Sequence, residues 1–312
     1  MGRRSATNLP RRTIEEDTLW WRGLGLPLCF FATDLHGRIE RYERLFGLIA
    51  AERPAAVFLG GDLLPRLSYY AKRPECGPGD FVGDYLGPAL ERVRKKLGER
   101  YPDVFLIPGN DDPKCEEASF LDAAENGIWQ YVHMRKTTFA GFHLYGYACV
   151  PPTPFLLKDW ERYDVSRYVD PGCVSPEEGR RSVPADPNEV KWGTIAQDLA
   201  ALVKDDPLER AICLIHTPPY DTALDRAALD GKKHEHVPLD VHIGSIAVRR
   251  FIEQQQPLLT LHGHVHESTR LTGAWKANVG RTVCINAAHD GPELALVRFD
   301  PESPAQASRE LI

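Results

Sequence analysis

An α/β fold with the functional edge at the carboxyl ends of its strands is predicted by three observations. Nearly continuous apolar runs recur at 26–33, 55–59, 104–107, 211–215 and 257–261, the pattern of strands covered on both faces of a parallel sheet. Segments with helical spacing separate several of them, and strand, helix, strand alternation is that of right-handed parallel crossover units. Each run also ends in a short polar signature: Asp34-Leu35-His36, Gly60-Gly61-Asp62, Gly109-Asn110-Asp111-Asp112, His216, and Gly263-His264-Val265-His266. Ligands in such folds gather beyond the strands' carboxyl ends, so one edge would collect all five.

Residues 1–23 are polar, basic then acidic, without periodicity, and read as a flexible arm. Strand 26–33 leads into helix 38–52, where Ile39, Tyr42, Leu45, Phe46 and Ile49 recur at helical spacing. Strand 55–59 follows. Residues 66–80, with Ser68-Tyr69-Tyr70 and Gly77-Pro78-Gly79, form a loop insertion before a helix at 85–99 and strand 104–107. The stretch 139–150 reads as a strand or hairpin, stopped by Pro151-Pro152-Thr153-Pro154. From 151 to 188 the chain is irregular. A loop of this length carrying Trp160, Arg162, Tyr163, Arg167 and Tyr168 is either a lid over substrate or a surface elaboration with its own small core. Helices 189–203 and 245–255 precede strands 211–215 and 257–261, and both strands stop at histidines. The β segments 282–287 and 294–299 have no helix between them and are expected to close the domain through a second sheet. Because Asp34 and His266 must meet to share a site, residues 24–300 are expected to form one domain, with 301–312 as a tail.

The 312 residues, 43% hydrophobic, are enough for a sizeable core. A net charge of −6 provides no global field for a nucleic-acid backbone, so nucleic acid as substrate would need a local basic patch. Seven cysteines, odd in number and without C-x-x-C spacing, argue against a disulfide framework and for a reducing, cytoplasmic compartment. Cys29, Cys213 and Cys284 sit in apolar runs as buried thiols. Paired arginines ahead of the apolar stretch 24–31 imitate an export signal, but cleavage there would remove the strand that delivers Asp34. No apolar run is long enough for a membrane span.

The five signatures together suit a pair of divalent cations. Two like charges in one site need a carboxylate able to bridge them, and Asp62 is the choice for that bridge. Asp34 and His36 stand two residues apart past a strand, where a turn can aim both at one metal; His264 and His266 repeat the spacing. Mixed imidazole nitrogen and carboxylate or amide oxygen suits Mn, Fe or Zn better than Ca or Mg, with Mn favoured. Paired metals can hold a bridging hydroxide and clamp an in-line phosphoryl displacement, so phosphoester hydrolysis is the expected reaction.

In their order, these residues resemble the calcineurin-like metallophosphoesterases, whose pattern runs D-x-H, G-D, G-N-H-D/E, H, then G-H-x-H. The wording around 107–113 and 261–268 is similar to the branch of Icc-related predicted phosphoesterases. The resemblance implies a four-layer α/β/β/α sandwich with mixed sheets. It also implies that Asp34, His36, Asp62 and His266 hold one metal, and that Asp62, Asn110, His216 and His264 hold the other. One departure stands out: Asp111 occupies the place of the family's histidine, which assists the phosphate or protonates the leaving group. A negative charge there, unless burial keeps the carboxyl protonated, favours a monoanionic diester over a dianionic monoester. The expected function is hydrolysis of a nucleotide or other small phosphodiester, with Asp62 and Asp111 at the chemistry. A phosphomonoesterase and a non-catalytic scaffold are the alternatives.

Other polar residues have plainer readings. His262 is read as packing at a strand end, His289 similarly, and His234-Glu235-His236 as a solvated loop. Gly244 and Ser245 open a helix whose first amides would suit an anion, though N-capping by Ser245 is the simpler role. Asp112 either orients a neighbouring ligand or forms a turn before Pro113.

Overall fold

Residues 27–65 and 80–312 are described in the computed structural model; the expected arm and nearly all of the 66–80 insertion fall outside them. The first half runs β1 (Cys29–Ala32), α1 (Ile39–Glu52), β2 (Ala56–Leu59), α2 (Gly87–Leu97), β3 (Asp103–Leu106), α3 (Glu117–Glu125) and β4 (Gln130–Tyr131). Strands β1 to β4 pair in parallel, in sequence order. Next come β5 (Arg135–Phe139), β6 (Phe142–Tyr147), α4 (Pro187–Trp192), α5 (Ile195–Val203), β7 (Ala211–Ile215), β8 (Lys233–His234) and β9 (Val237–Pro238). The chain closes with α6 (Ile246–Gln255), β10 (Leu259–His262), α7 (Ser268–Thr272), β11 (Lys276–Val279), β12 (Thr282–Asn286), β13 (Ala295–Phe299) and β14 (Ser308–Leu311). One six-stranded sheet has the order β14-β13-β1-β2-β3-β4 and the other β11-β12-β10-β7-β6-β5.

The layering follows from the two-residue period of a strand. In β1, Cys29 and Phe31 point into the cluster that also holds Phe139, Leu144 and Ile212 of the other sheet. Phe30 and Ala32 point the opposite way, against Tyr42, Leu45 and Ile49 of α1 and Leu90 of α2. Phe139 makes edge contacts with Phe58 at 6.2 Å and Phe105 at 5.9 Å, ring to ring across the gap between sheets. Each such fully buried ring contributes about 1.5–3 kcal/mol. Ile195, Leu199 and Val203 of α5 and Val248 and Ile252 of α6 join the inner cluster from the second sheet's far side. The order is therefore helices, sheet, sheet, helices, as expected.

Several elements differ in detail. The expected helix 189–203 is two: Thr194 caps α5, accepting from Gln197 N–H while the Gln197 side chain accepts from Thr194 N–H, and this reciprocal cap overrides continuation through Gly193. The helix expected at 85–99 opens with a wider turn at Val82–Leu86 before α2. Stretch 139–150 holds a hairpin turn at Ala140 and Gly141, both with positive φ (48° and 82°), leading into β6. Segments 282–287 and 294–299 enter different sheets: β12 runs parallel to β10, while β13 runs antiparallel to β1. The stretch read as a tail supplies β14, paired with β13 from Ala295 opposite Leu311. No helix among the described residues is long and apolar enough to cross a membrane.

Candidate metal centre

Parallel strands deliver the five signatures to one edge. Backbone bonds lock adjoining loops together: Asp34 N–H donates to Gly61 O at 2.9 Å, His36 N–H to Asp62 O at 2.8 Å, and Gly263 N–H to His216 O at 2.8 Å. Four of the candidate ligands adopt left-handed backbone, Asp34 (φ 55°), His36 (47°), Asp62 (52°) and His264 (69°). Such conformations cost of order 1–3 kcal/mol each in non-glycine residues and persist only where the surroundings enforce them. Here they turn the side chains off the strand axes towards one another.

One ligand atom from each of Asp34, His36, Asp62 and His266 falls within 4.8 Å of the others. His266 Nε2 lies 2.9 Å from Asp34 Oδ1 and 3.1 Å from His36 Nε2, and His36 Nε2 lies 3.9 Å from Asp62 Oδ2. His216 Nε2 approaches the same Asp62 Oδ2, at 3.5 Å, with the His264 ring 5.4 Å from that of His216. The third signature also reaches Asp62: Asp111 N–H donates to Asp62 Oδ1 at 2.8 Å. His216 and the third signature's loop thus also meet Asp62. His216 Nδ1 donates to Gly60 O at 2.7 Å, which leaves Nε2 as the nitrogen facing Asp62.

The donor set fits divalent cations on two grounds. Asn110 Oδ1 is buried without a hydrogen-bond partner among the described residues, a costly state unless something else is bound there, and His216 Nε2 faces the Asp62 carboxylate, at 3.5 Å. The electrostatics agree. Burial raises the Asp34 carboxyl, but His266 and His216 together hold it below the ordinary range. Asp62 is likewise pushed up by burial, and His216 beside it brings it well below the usual carboxylate range. Burial would lower His216, yet Asp62 carries it up to about 9, so the two buried aspartates draw positive charge to this point. His264, lowered to about 3 by burial and then by His216, stays neutral and competent as a ligand.

Close packing explains the motif glycines. A Cβ on Gly109 would stand 2.3 Å from Asp62 Oδ1 and 2.7 Å from His216 Nε2; one on Gly263 would stand 2.4 Å from Asp34 Oδ2. Asp112 orients the third loop rather than facing the centre: its carboxyl accepts from Leu63, Leu64 and Gly109 N–H at 2.7–3.1 Å, tying two signatures together. Asp111 faces the centre on the His36 side, Oδ2 lying 3.7 Å from His36 Nδ1, with a quarter of its side chain open to water.

Two supporting residues escaped the sequence reading. Arg41 is buried on the apolar face of α1, where it donates to the Asp34 carbonyl at 2.6 Å and to Gly291 O at 2.5 Å, fixing the first signature's turn. A charged residue on an otherwise apolar helical face was the available signal. Asp164, within 151–188, fills the anion position expected at the α6 amino terminus, accepting from Ser245 Oγ, Ile246 N–H and Ala247 N–H at 2.5–3.1 Å. Ser245 is also the N-cap, its Oγ accepting from Val248 N–H.

The remaining histidines stay apart from the centre's chemistry. His262 bridges the ends of β7 and β10 through the Ile215 and Thr217 carbonyls, both at 2.9 Å. His289 pairs with Glu293 at 2.9 Å, and His234, Glu235 and His236 are exposed around the β8–β9 turn. The segment 151–188 has an interior of its own, where fully buried Lys158 meets Glu161 and the Trp160 indole N–H donates to Asp112 O at 2.7 Å.

Comparison with known proteins agrees with the fold. A solved structure of 18% identity, aligned over 92% of this chain and 99% of its own, superposes with a TM-score of 0.57. TT1561 of Thermus thermophilus gives 18% identity over the same shares and a TM-score of 0.52. A dimetal phosphatase from Danio rerio gives 13% identity, 92% and 96% coverage, and 0.51. At these identities they share the fold. No curated protein matches the chain. The family model of calcineurin-like phosphoesterases matches residues 29–268, from the start of β1 into α7. This chain belongs to the calcineurin-like phosphoesterases.

Proposed function

We propose that the chain is a dinuclear metal-dependent phosphodiesterase acting on a nucleotide or another small phosphodiester. The observation that carries the reading is the cluster of Asp34, His36, Asp62 and His266, whose ligand atoms fall within 4.8 Å of one another, with His216 Nε2 3.5 Å from Asp62 Oδ2 and Asn110 Oδ1 buried without a hydrogen-bond partner among the described residues. Asp34, His36, Asp62 and His266 would hold one cation, and Asp62, Asn110, His216 and His264 the other. Bound divalent cations would supply Lewis acidity towards a phosphoryl oxygen and acidify water. Nitrogen and oxygen donors together favour Mn, with Fe or Zn as alternatives.

Asp111 sets the substrate preference. Its carboxylate stands beside His36 at the water-reached rim of the centre, where it repels a dianionic monoester more than a monoanionic diester. The test compares an aryl diester with an aryl monoester under saturating Mn, with Asp62→Ala as the blank. The reading expects diester turnover to dominate, Asp111→His to shift the ratio towards the monoester, and Asp62→Ala to abolish both. Comparable turnover of the two esters, unmoved by Asp111→His, overturns the preference. Activity surviving in Asp62→Ala overturns the mechanism.

A further inference from the structure

A cavity of about 480 Å³ opens between the third signature's loop and the segment 151–188, within the size range of small-molecule sites. None of the seven candidate ligands lines it. Its walls include Lys114, His133, Trp160, Arg162 and Arg181, with Pro184 and Val190 as an apolar side.

Five carboxylates also line the cavity, and each already has donors. Asp159 accepts from Lys114 N–H, Ser182 N–H and Ser182 Oγ. Glu161 is buried against Lys158 and Thr153. Asp198 and Glu189 both bind Arg162, at 2.8 and 2.9 Å. Asp186 caps α4 through Asn188 N–H.

The cations are not balanced in the same way. Lys114 Nζ sits over the Trp160 ring at 4.9 Å, and the Arg181 guanidinium donates to the carbonyls of Lys158 and Pro176. Neither forms a salt bridge among the described residues. His133 Nδ1 accepts from Ala148 N–H at 3.0 Å, so its neutral ring carries the proton on Nε2 as a further donor. Burial first, then Lys114, Arg162 and Arg135, lower this histidine to about 3, so the ring stays neutral.

We infer that this cavity is a second ligand site, which binds an organic phosphomonoester: its dianionic head between Lys114 and Arg181, its apolar body against Pro184 and Val190. Guanidinium forks and ammonium groups are the usual partners of phosphate oxygens. The volume exceeds what a phosphate ion alone fills. Lys114 follows the loop that carries Asn110 and Asp111, and the Trp160 indole grips the Asp112 carbonyl of the same loop, so an occupant would rest on the backbone that shapes the metal centre.

Titration calorimetry with phenylphosphonate, which cannot be hydrolysed, and with inorganic phosphate tests the inference on the full chain. Wild type and Asp62→Asn are expected to bind phenylphosphonate at one site with the same affinity, and both to bind inorganic phosphate more weakly. Lys114→Glu and Arg181→Gln are each expected to weaken phenylphosphonate binding by at least about tenfold, with thermal unfolding confirming that each is folded. Arg181→Lys, which keeps the charge but loses the fork, should fall between. Binding lost in Asp62→Asn but kept in Lys114→Glu would assign the ligand to the metal centre and overturn the inference. Equal affinity for the two probes would remove the organic body from it. No saturable heat with wild type would remove the site.

Discussion

Replacing Gly109 by alanine adds one methyl group where the centre has no room for it. The new Cβ would lie 2.3 Å from Asp62 Oδ1, 2.4 Å from the Asp62 amide nitrogen and 2.7 Å from His216 Nε2, whereas ordinary contact begins at 3.4 Å. A carboxylate oxygen can swing aside, but a backbone nitrogen cannot, so the third loop and the end of β2 must part by about 1 Å. Asp62 is already in a left-handed conformation and is held by Asp111 N–H, so the displacement reaches the proposed bridging ligand. Overpacking of this kind costs about 1–3 kcal/mol, and disturbing the supports of metal ligands weakens binding about 10- to 100-fold. Gly47 is the control. It lies on the exposed face of α1 with nothing within 4 Å of an added Cβ, so alanine there removes a helix-interior glycine and stabilises by about 0.5–1 kcal/mol. Urea unfolding of both variants, with metal content measured after Mn loading, reads the two signs. Gly109→Ala with wild-type stability and wild-type metal affinity would refute the packing of the third loop on Asp62.

Three further outcomes are expected. Asp164→Ala leaves two amides and a hydroxyl at the α6 amino terminus without their acceptor and should destabilise by about 2–3 kcal/mol in urea unfolding; a loss below about 0.5 kcal/mol would show that the clamp is inert. Trp160→Phe removes the donor to the buried Asp112 carbonyl and should cost about 1–3 kcal/mol with metal content unchanged, so a variant as stable as wild type contradicts that contact. His133 is held neutral in the fold down to about pH 3 while an unfolded chain protonates near its ordinary 6.5. The unfolded state then binds the extra proton, and stability falls as pH drops below about 6.5 by up to about 1.4 kcal/mol per unit. His133→Asn, which keeps an acceptor for Ala148 N–H, should flatten unfolding free energy against pH between about 6 and 4 by that slope; an unchanged slope counts against the burial of this ring.

The signatures were readable because polar residues closing a buried strand have no packing role, so Asp34, His36, Asp62, His216, His264 and His266 stand out against the runs that precede them. Partner choice among strands was not readable. Apolar periodicity places 282–287 and 294–299 as strands but carries no record of which neighbour each meets, and they joined different sheets. Strand β14, Ser308-Arg309-Glu310-Leu311, pairs on one side only and buries little, so it has no apolar pattern to reveal it. The break before α5 lay in plain text as Thr194-x-x-Gln197, a local cap that outweighed the longer helical period on either side of it. The cap at the start of α6 was legible from Ser245, and an anion there was the alternative. That Asp164, 81 residues earlier, supplies the anion is a tertiary fact.

Metal stoichiometry tests the central claim most directly. Elemental analysis of Mn-loaded wild type and Asp62→Asn, each shown to be folded by its unfolding transition, compares the chain with and without the carboxylate common to both sides. The account predicts about two ions per wild-type chain and less than about one in Asp62→Asn, since removing the shared ligand releases both halves. Two tightly held ions in folded Asp62→Asn, or none in wild type, would contradict it.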